Sequence, residues 1–189
     1  MFTSGSQTYV GSSENHIENI MIFSDGVDVT DYFEQIVLGS GTLTVTPRSV
    51  SIVVINSEYN YNGHLQSSNF YYIASGSFVA GEFMENPVFV GGSINVGDLG
   101  YTTLNYDRVY NSVLDLDVSD NYDIIVTEGL VTINPRLVYI KPVDREKVYD
   151  GTGLKAEEWE YYSTSLNNQN YQFVEGQTLN CIFEGEQLF

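Results

Sequence analysis

The sequence Thr-Val-Thr-Pro-Arg-Ser-Val occupies residues 44–50, and Thr-Ile-Asn-Pro-Arg-Leu-Val occupies residues 132–138. Their prolines, Pro47 and Pro135, are 88 residues apart. Each proline lies between two β-branched or alternating runs, where it fits a strand end or a link better than a central strand. This recurring strand–proline–strand step predicts an all-β chain built on an internal repeat.

Further matches occur in the same order and at nearly the same spacing. They are Gly41-Thr42-Leu43 with Gly129-Leu130-Val131, Tyr61-Asn62-Gly63 with Tyr149-Asp150-Gly151, Asp28-Val29-Thr30-Asp31 with Asp117-Val118-Ser119-Asp120, and Phe78-Val79-Ala80-Gly81-Glu82 with Phe173-Val174-Glu175-Gly176-Gln177. The 189 residues therefore hold about two periods of a unit of about 88 residues. Six or seven short strands in one period are typical of a small antiparallel sandwich or half-open barrel.

Two domain frames fit this repeat. If units begin after the prolines, residues 1–47 are a back half, 48–135 a complete unit and 136–189 a front half. If they break at another phase, two whole units meet near residue 90. The prolines favour the first frame, because a proline suits a link between strands. In that frame the halves are complementary, so we expect them to complete a unit within the chain or to form a dimer between two copies.

The charge balance excludes several classes of partner. The chain has 25 acidic residues and 7 lysines and arginines, for a net charge of −18, and no lysine precedes Lys141. Binding to nucleic acid or to anionic lipid needs a basic surface, so neither is expected. No apolar stretch approaches the length that spans a bilayer, so we expect no membrane contact by this segment.

The repeated motifs resemble a known family. The resemblance rests on Val148-Tyr149-Asp150-Gly151-Thr152, Gly76-Ser77-Phe78-Val79-Ala80-Gly81, residues 92–97, Asp117-Val118-Ser119-Asp120-Asn121-Tyr122-Asp123, and residues 129–136. In this order they resemble the MBG or YDG-type tandem repeats, which are grouped with bacterial Ig-like or β-grasp-like modules of large surface adhesins. The first copy departs from the pattern, since Asn62 stands where the second has Asp150.

This resemblance implies an extracellular location on a bacterial cell surface or cell wall. It implies elongated tandem modules, with neighbouring repeats of the same parent protein as partners and no cofactor. The predicted function is a structural stalk or spacer in an adhesin-like protein. A chain of stacked acidic repeats that is poor in cysteine is compatible with such a rod.

Asp117, Asp120 and Asp123 are candidate calcium ligands, with Asp25, Asp28 and Asp31 in the other copy. Three carboxylates within seven residues could supply oxygen ligands, although neither run has EF-hand spacing. The alternative is that aspartate forms turns through hydrogen bonds from its side chain to the backbone. Both interpretations stay open at this point.

Tyrosine- and asparagine-rich segments suggest a second function. Tyr71, Tyr72, Trp159 and Tyr161 are candidate ligand-binding residues, because aromatic faces beside amide groups can bind sugar rings. The alternative function is thus an adhesive module that binds glycans, mucin or host surface proteins. Against it, tyrosine is favoured in half-buried strands whatever the function.

The sequence offers little for catalysis. His16 and His64 do not fall at corresponding repeat positions, and neither lies near a nucleophile or a metal-ligand spacing. The sequence therefore predicts that the protein is not an enzyme. The single cysteine, Cys181, has apolar strand neighbours, so we expect it to be buried as a small hydrophobic residue.

Overall fold

The computed structural model describes residues 2–161 and 171–184. Within these residues the chain forms strands and two short 3-10 turns, with no α-helix. The strands are β1 Phe2–Ser4, β2 Gly11–Glu18, β3 Phe23–Ser24, β4 Val27–Asp28, β5 Gly41–Val45, β6 Arg48–Val54, β7 Ser57–Asn60, β8 Tyr71–Ser75, β9 Glu82–Glu85, β10 Val88–Gly92, β11 Gly100–Asn105, β12 Arg108–Asn111, β13 Leu116–Asp117, β14 Tyr122–Thr127, β15 Gly129–Asn134, β16 Ile140–Pro142 and β17 Trp159–Tyr161. The 3-10 turns are η1 Thr30–Tyr32 and η2 Ser119–Asn121. The predicted all-β class is confirmed.

Residue contacts divide the chain into two compact units, each assembled from separate segments. Unit 1 comprises Met1–Val54, Phe70–Val88 and Leu104–Thr127. Unit 2 comprises Ile55–Asn69, Phe89–Thr103 and Glu128–Phe189. Residues 48–135 thus contribute to both units. This division by contacts does not test where a repeat begins along the chain, so the frame stays a prediction.

β6 is the central strand of a three-stranded sheet in unit 1, with β14 on one edge and β8 on the other. β14 pairs in parallel, with Val126 opposite Ile52, and β8 pairs in antiparallel, with Ile73 opposite Ile52. Val50, Ile52 and Val54 are buried, because alternate residues of a strand point to the same face. This face forms part of the apolar core of unit 1.

Two more sheets and a hairpin belong to unit 1. The sheets have the orders β1-β2-β5 and β13-β12-β9, and the hairpin joins β3 to β4. Val109 of β12 lies opposite Met84 of β9, and both side chains are buried. After η1, residues 33–38 form no strand and are exposed. They follow η1, a 3-10 turn of the same kind as η2.

Unit 2 contains the sheet β10-β11-β15-β7 and the separate pair β16–β17. Val131 and Ile133 of β15 are buried. Unit 2 also buries polar groups: the Ser68 N–H donates to Thr102 Oγ1 at 3.0 Å, and the Ser68 hydroxyl donates to the Ile55 carbonyl oxygen at 2.6 Å. Each of these buried polar groups therefore has a partner.

The structure corrects the prediction of purely antiparallel modules. β14 pairs with β6 in parallel, and β15 pairs with β7 in parallel. A parallel pair needs a long connection, and here seven other strands lie between the two members of each pair in sequence. Alternation of residues predicts a strand and its faces, but it does not specify the direction of a distant neighbour.

Candidate functional site

The candidate calcium ligands lie in turns. Asp117 Oδ1 accepts hydrogen bonds from the Ser119 N–H at 2.9 Å and the Ser119 hydroxyl at 2.6 Å. Asp28 Oδ1 accepts the same two bonds from Thr30, at 2.9 Å and 2.6 Å. Chiefly the hydroxyl bond lowers the pKa of both carboxyl groups, because a charged carboxylate accepts more strongly than a neutral acid. Both aspartates therefore fix the chain ahead of a 3-10 turn.

Asp120 lies in η2 and Asp123 in β14, and both are exposed. Across residues 2–161 and 171–184, no three histidine, cysteine or acidic side chains are grouped so that they could hold a metal ion. The structure thus does not bring Asp117, Asp120 and Asp123 together as one ligand set. Calcium binding stays a prediction, in which calcium raises the melting temperature and Asp120→Ala removes the rise.

Tyr71 and Tyr72 are neighbours on β8, where they pair with Val54 and Val53. Successive residues of a strand point to opposite faces, so these rings do not form one continuous platform. Both are exposed, and Tyr72 more so, with 52% of its surface accessible. Of the two, Tyr72 is the better placed to meet a ligand.

Trp159 and Tyr161 belong to an aromatic cluster in unit 2 that also contains Phe173. Ring centroids are 5.1 Å apart for Trp159–Tyr161 and 5.8 Å for each ring with Phe173, in edge-to-face arrangements. The Tyr161 hydroxyl accepts a hydrogen bond from the Phe173 N–H at 3.1 Å. This geometry favours a packing role. The sequence had marked Phe173 only as a repeat residue.

A mainly apolar cavity of about 450 Å³ lies beside Trp159. Its lining is Ile140, Lys141, Pro142, Arg145, Leu154, Ala156, Trp159, Leu179, Cys181, Ile182, Phe183 and Glu184. Two of these residues have counterparts in the earlier copy: Ile140 corresponds to Ile52, 88 residues before it, and Leu179 to Met84, 95 residues before it. Both counterparts are buried. The cavity therefore exposes positions that are core in the earlier copy.

The two cations of the cavity lining are held in ion pairs. Lys141 Nζ is 2.8 Å from Asp144 Oδ2 and 3.0 Å from Glu160 Oε1, while Arg145 bonds Glu158. The Asp144 bond, followed by the Glu160 bond, raises the pKa of Lys141. Because acids on the protein already partner these cations, the cavity favours an apolar occupant over a free anion.

The structure corrects the prediction for Cys181. The thiol is exposed and lines the cavity. Its apolar neighbours gave the right environment, but no described strand pairs over them. The cavity itself was not predicted. Aligning residues 177–183 with residues 82–88 would have marked Leu179 as a core-type position, since it takes the place of the buried Met84.

Among the described residues, no helix combines the length and apolarity that a membrane crossing requires. No protein-family model matches this chain, and no curated protein or solved structure matches it either. The function has to be inferred from the residues themselves.

Proposed function

We propose that this chain is a stalk or spacer segment of a bacterial cell-surface protein, built from tandem modules of the Ig-like or β-grasp-like kind, with no catalytic site. One observation carries the proposal: residues that recur between copies make the same bonds to backbone atoms in each. Recurring side chains that bond backbone atoms hold the chain in the same conformation in each copy, which supports a repeated scaffold. A repeated binding site would instead leave such side chains available to a ligand.

The recurring arginines illustrate this use. Arg48 Nε donates to the Ser77 carbonyl oxygen at 2.6 Å, and Arg136 Nε donates to the Gln172 carbonyl oxygen at 2.6 Å. Each acceptor directly precedes the recurring phenylalanine, Phe78 or Phe173. Each arginine therefore ties the start of its copy to the same later point of that copy.

The first strand pair of each copy also has the same register. In β6–β8, Ile52 lies opposite Ile73, and in β16–β17, Ile140 lies opposite Tyr161. Both residues of the second pair lie 88 positions after those of the first. A shift by one residue would exchange the faces of the strand, so an equal register preserves an equal inward face.

The Tyr-Asn-Gly and Tyr-Asp-Gly turns agree as well. Asn62 Oδ1 accepts from the His64 N–H at 2.9 Å, and Asp150 Oδ1 accepts from the Thr152 N–H at 3.0 Å. Asparagine and aspartate both form this turn, which explains how the first copy tolerates the exchange. The family signature thus has a conformational role here.

Small-angle scattering of the purified chain, measured on the monomer peak of a sizing column, tests the spacer proposal. A compact chain of this length has a radius of gyration of about 16 Å. We expect a clearly larger value and an elongated distance distribution that added glycans do not change. A radius near the compact value would contradict a rod.

A second candidate is glycan binding, which is favoured by one observation, the cavity beside Trp159. A glycan array with the full chain tests it. Specific binding that Trp159→Phe weakens, with unchanged melting temperature, would support this function and reject the pure spacer. Tyr72→Ala probes the exposed ring of β8 in the same way. Val148→Ala, at a residue outside the cavity lining, is the control.

A further inference from the structure

In the part of the chain that the structure describes, the second repeat copy has no counterpart of one strand of the first repeat copy. β6 carries β14 on one edge and β8 on the other, whereas β16 carries only β17, the counterpart of β8. Within the described residues, the other edge of β16 has no strand. The effect on burial is large: Ile52 is 0% exposed, while its counterpart Ile140 is 37% exposed.

A second pairing is missing at the same place. In the first copy, β9 pairs with β12, so that Met84 lies opposite Val109. The counterpart of Met84 is Leu179, which lines the cavity and has no strand partner among the described residues. The cavity is therefore lined by residues whose counterparts are covered by β12 and β14.

The chain itself contains counterparts of β12 and β14. Residues 22–38 correspond to residues 109–127, with two residues fewer between Ile22 and Asp28 than between Val109 and Asp117. The Ile22 N–H donates to the Thr30 hydroxyl just as the Val109 N–H donates to the Ser119 hydroxyl. Within them, residues 33–38 take the place of β14 but form no strand. Val37, the counterpart of Val126, is 81% exposed. Residues 33–38 are therefore an apolar segment with no strand partner among the described residues. The cavity is a site at which such a segment is missing.

We infer that the cavity of unit 2 binds residues 22–38 of a second copy of this chain. Residues 33–38 of that copy add to β16 as a parallel strand, in the register that β14 has on β6. This register places Phe33 opposite Arg136 and Val37 opposite Ile140. Ile22 then meets Leu179, as Val109 meets Met84.

One compensating exchange supports this register. In the first copy, the Tyr122 hydroxyl bonds Glu82 and accepts from the Val79 N–H at 2.8 Å. Phe33 stands at the position of Tyr122 and can make neither bond. At the docking site, however, the counterpart of Glu82 is Gln177, which already bonds the equivalent N–H.

Because Gln177 bonds the Val174 N–H, this N–H does not need the hydroxyl that Phe33 lacks. Gln177 Oε1 accepts from the Val174 N–H at 3.0 Å, and Gln177 Nε2 donates to the Tyr61 hydroxyl at 3.1 Å. An incoming Phe33 can therefore lie beside Gln177 without depriving the Val174 N–H of its acceptor. Phe33 thus lacks the hydroxyl of Tyr122, and Gln177 at the docking site takes over the hydrogen bond that this hydroxyl makes in the first repeat copy.

The distribution of charge lowers the repulsion between two molecules of this acidic chain at the contact. Residues 1–47 carry six acidic side chains and no lysine or arginine. The segment that receives them, residues 136–142, carries Arg136 and Lys141, and Arg145 lies in the cavity lining. Five of the chain's 7 cations fall in residues 136–155. Acids of the same chain already pair with Lys141 and Arg145, so these cations reduce repulsion of the acidic segment rather than forming new ion pairs with it.

The docked segment, residues 22–38, and the cavity that receives it are different surfaces of the chain. The contact is therefore head-to-tail and generates open chains or a closed ring. Sedimentation velocity of the full chain from micromolar to millimolar concentration measures this. We expect association that Val37→Asp and Leu179→Asp each weaken roughly a hundredfold or more, because the docked register covers both positions and each variant places an unpaired charge there. Val148→Asp is the control, because Val148 is 89% exposed and lies outside the cavity.

Mixing the two weakened variants gives the decisive result. The Val37→Asp chain keeps an intact cavity, and the Leu179→Asp chain keeps an intact residue 33–38 segment. We expect each to be monomeric alone and the mixture to form a 1:1 dimer that grows no further. A mixture that stays monomeric while the wild type associates would overturn the inference.

Two further measurements make the register testable. Gln35→Ile restores the counterpart of Ile124 and should tighten association about tenfold, because it adds a buried apolar side chain. Maleimide labelling of Cys181 should slow as wild-type concentration rises, and should stay fast in Val37→Asp. A wild type that is monomeric at all concentrations, or a thiol protected independently of concentration, overturns the inference and leaves the spacer proposal standing.

Discussion

At the scale of single residues, two glycines of the 92–97 motif show how backbone space decides which positions can change. Gly92 has φ +134°, and a Cβ there would lie 2.2 Å from the Gln66 carbonyl oxygen. Gly97 also has a positive φ, +86°, but a Cβ there would meet nothing within 4 Å. Both positions favour glycine because of their backbone conformation, but only at Gly92 is there also no room for a Cβ atom.

These two glycines therefore give a matched prediction. Gly97→Ala should cost about 1–2 kcal/mol in the free energy of unfolding, for the positive φ alone. Gly92→Ala should cost at least about twice as much, because the opposing atom is backbone and cannot rotate away. Urea denaturation of both variants measures the difference. Equal losses would mean that the approach to Gln66 is looser than the structure has it.

The Asp117 turn predicts a dependence on pH. Its hydrogen bonds hold the pKa below the ordinary value of 3.8, so the charged form contributes stability that is fully present above that value. The contribution is lost as the pH falls through the lowered folded-state pKa. Asp117→Asn keeps an oxygen acceptor but does not titrate. We expect the wild type to be more stable near pH 7 and the gap to close below pH 3.8.

Thermal melting across this pH range checks the prediction, and Asp28→Asn should behave in the same way because Asp28 has the same bonds. A gap between wild type and variant that persists at the lowest pH would show that shape, and not charge, accounts for the effect. That result would leave the turn intact but remove its electrostatic explanation.

At the scale of the elements, β6 shows what a second strand neighbour contributes. Ile52→Ala should cost roughly 2–5 kcal/mol, since the residue is fully buried and its truncation leaves a cavity. Ile140→Ala in the monomer should cost less, because Ile140 is itself 37% exposed. Ile125→Ala, on the outer face of β14, should stay within about 0.5 kcal/mol. Chemical denaturation at low protein concentration ranks the three.

The sequence predicted many element boundaries because their causes are local. Pro47 falls between β5 and β6, as its missing N–H and fixed φ dictate. Asp117 precedes η2 because its side chain bonds residues two positions on. The partners of β6 and β7 were not predicted, since both are reached through long connections. Ligand contact by Trp159 stays a prediction, whereas its packing on Phe173 was not predicted, because the two residues are not neighbours in sequence.

At the scale of the whole molecule, the net charge of −18 makes a prediction of its own. Folding brings like charges together, so self-repulsion opposes the compact state and salt screens it. We expect the melting temperature to rise as sodium chloride increases from low to physiological concentration. Differential scanning calorimetry measures this. A falling melting temperature would mean that attractive pairs such as Arg108–Glu85 outweigh the repulsion.

The sequence by itself determined the all-β class, the turns and the inward face of each strand, because these depend on residues within a few positions of one another. Only the tertiary structure decided which strands acquire two neighbours. Ile52 and Ile140 are the same residue type in the same register with the next strand, yet one is buried and the other is exposed. The difference lies in β14, a strand distant in sequence, because burial depends on what the whole chain brings to each edge.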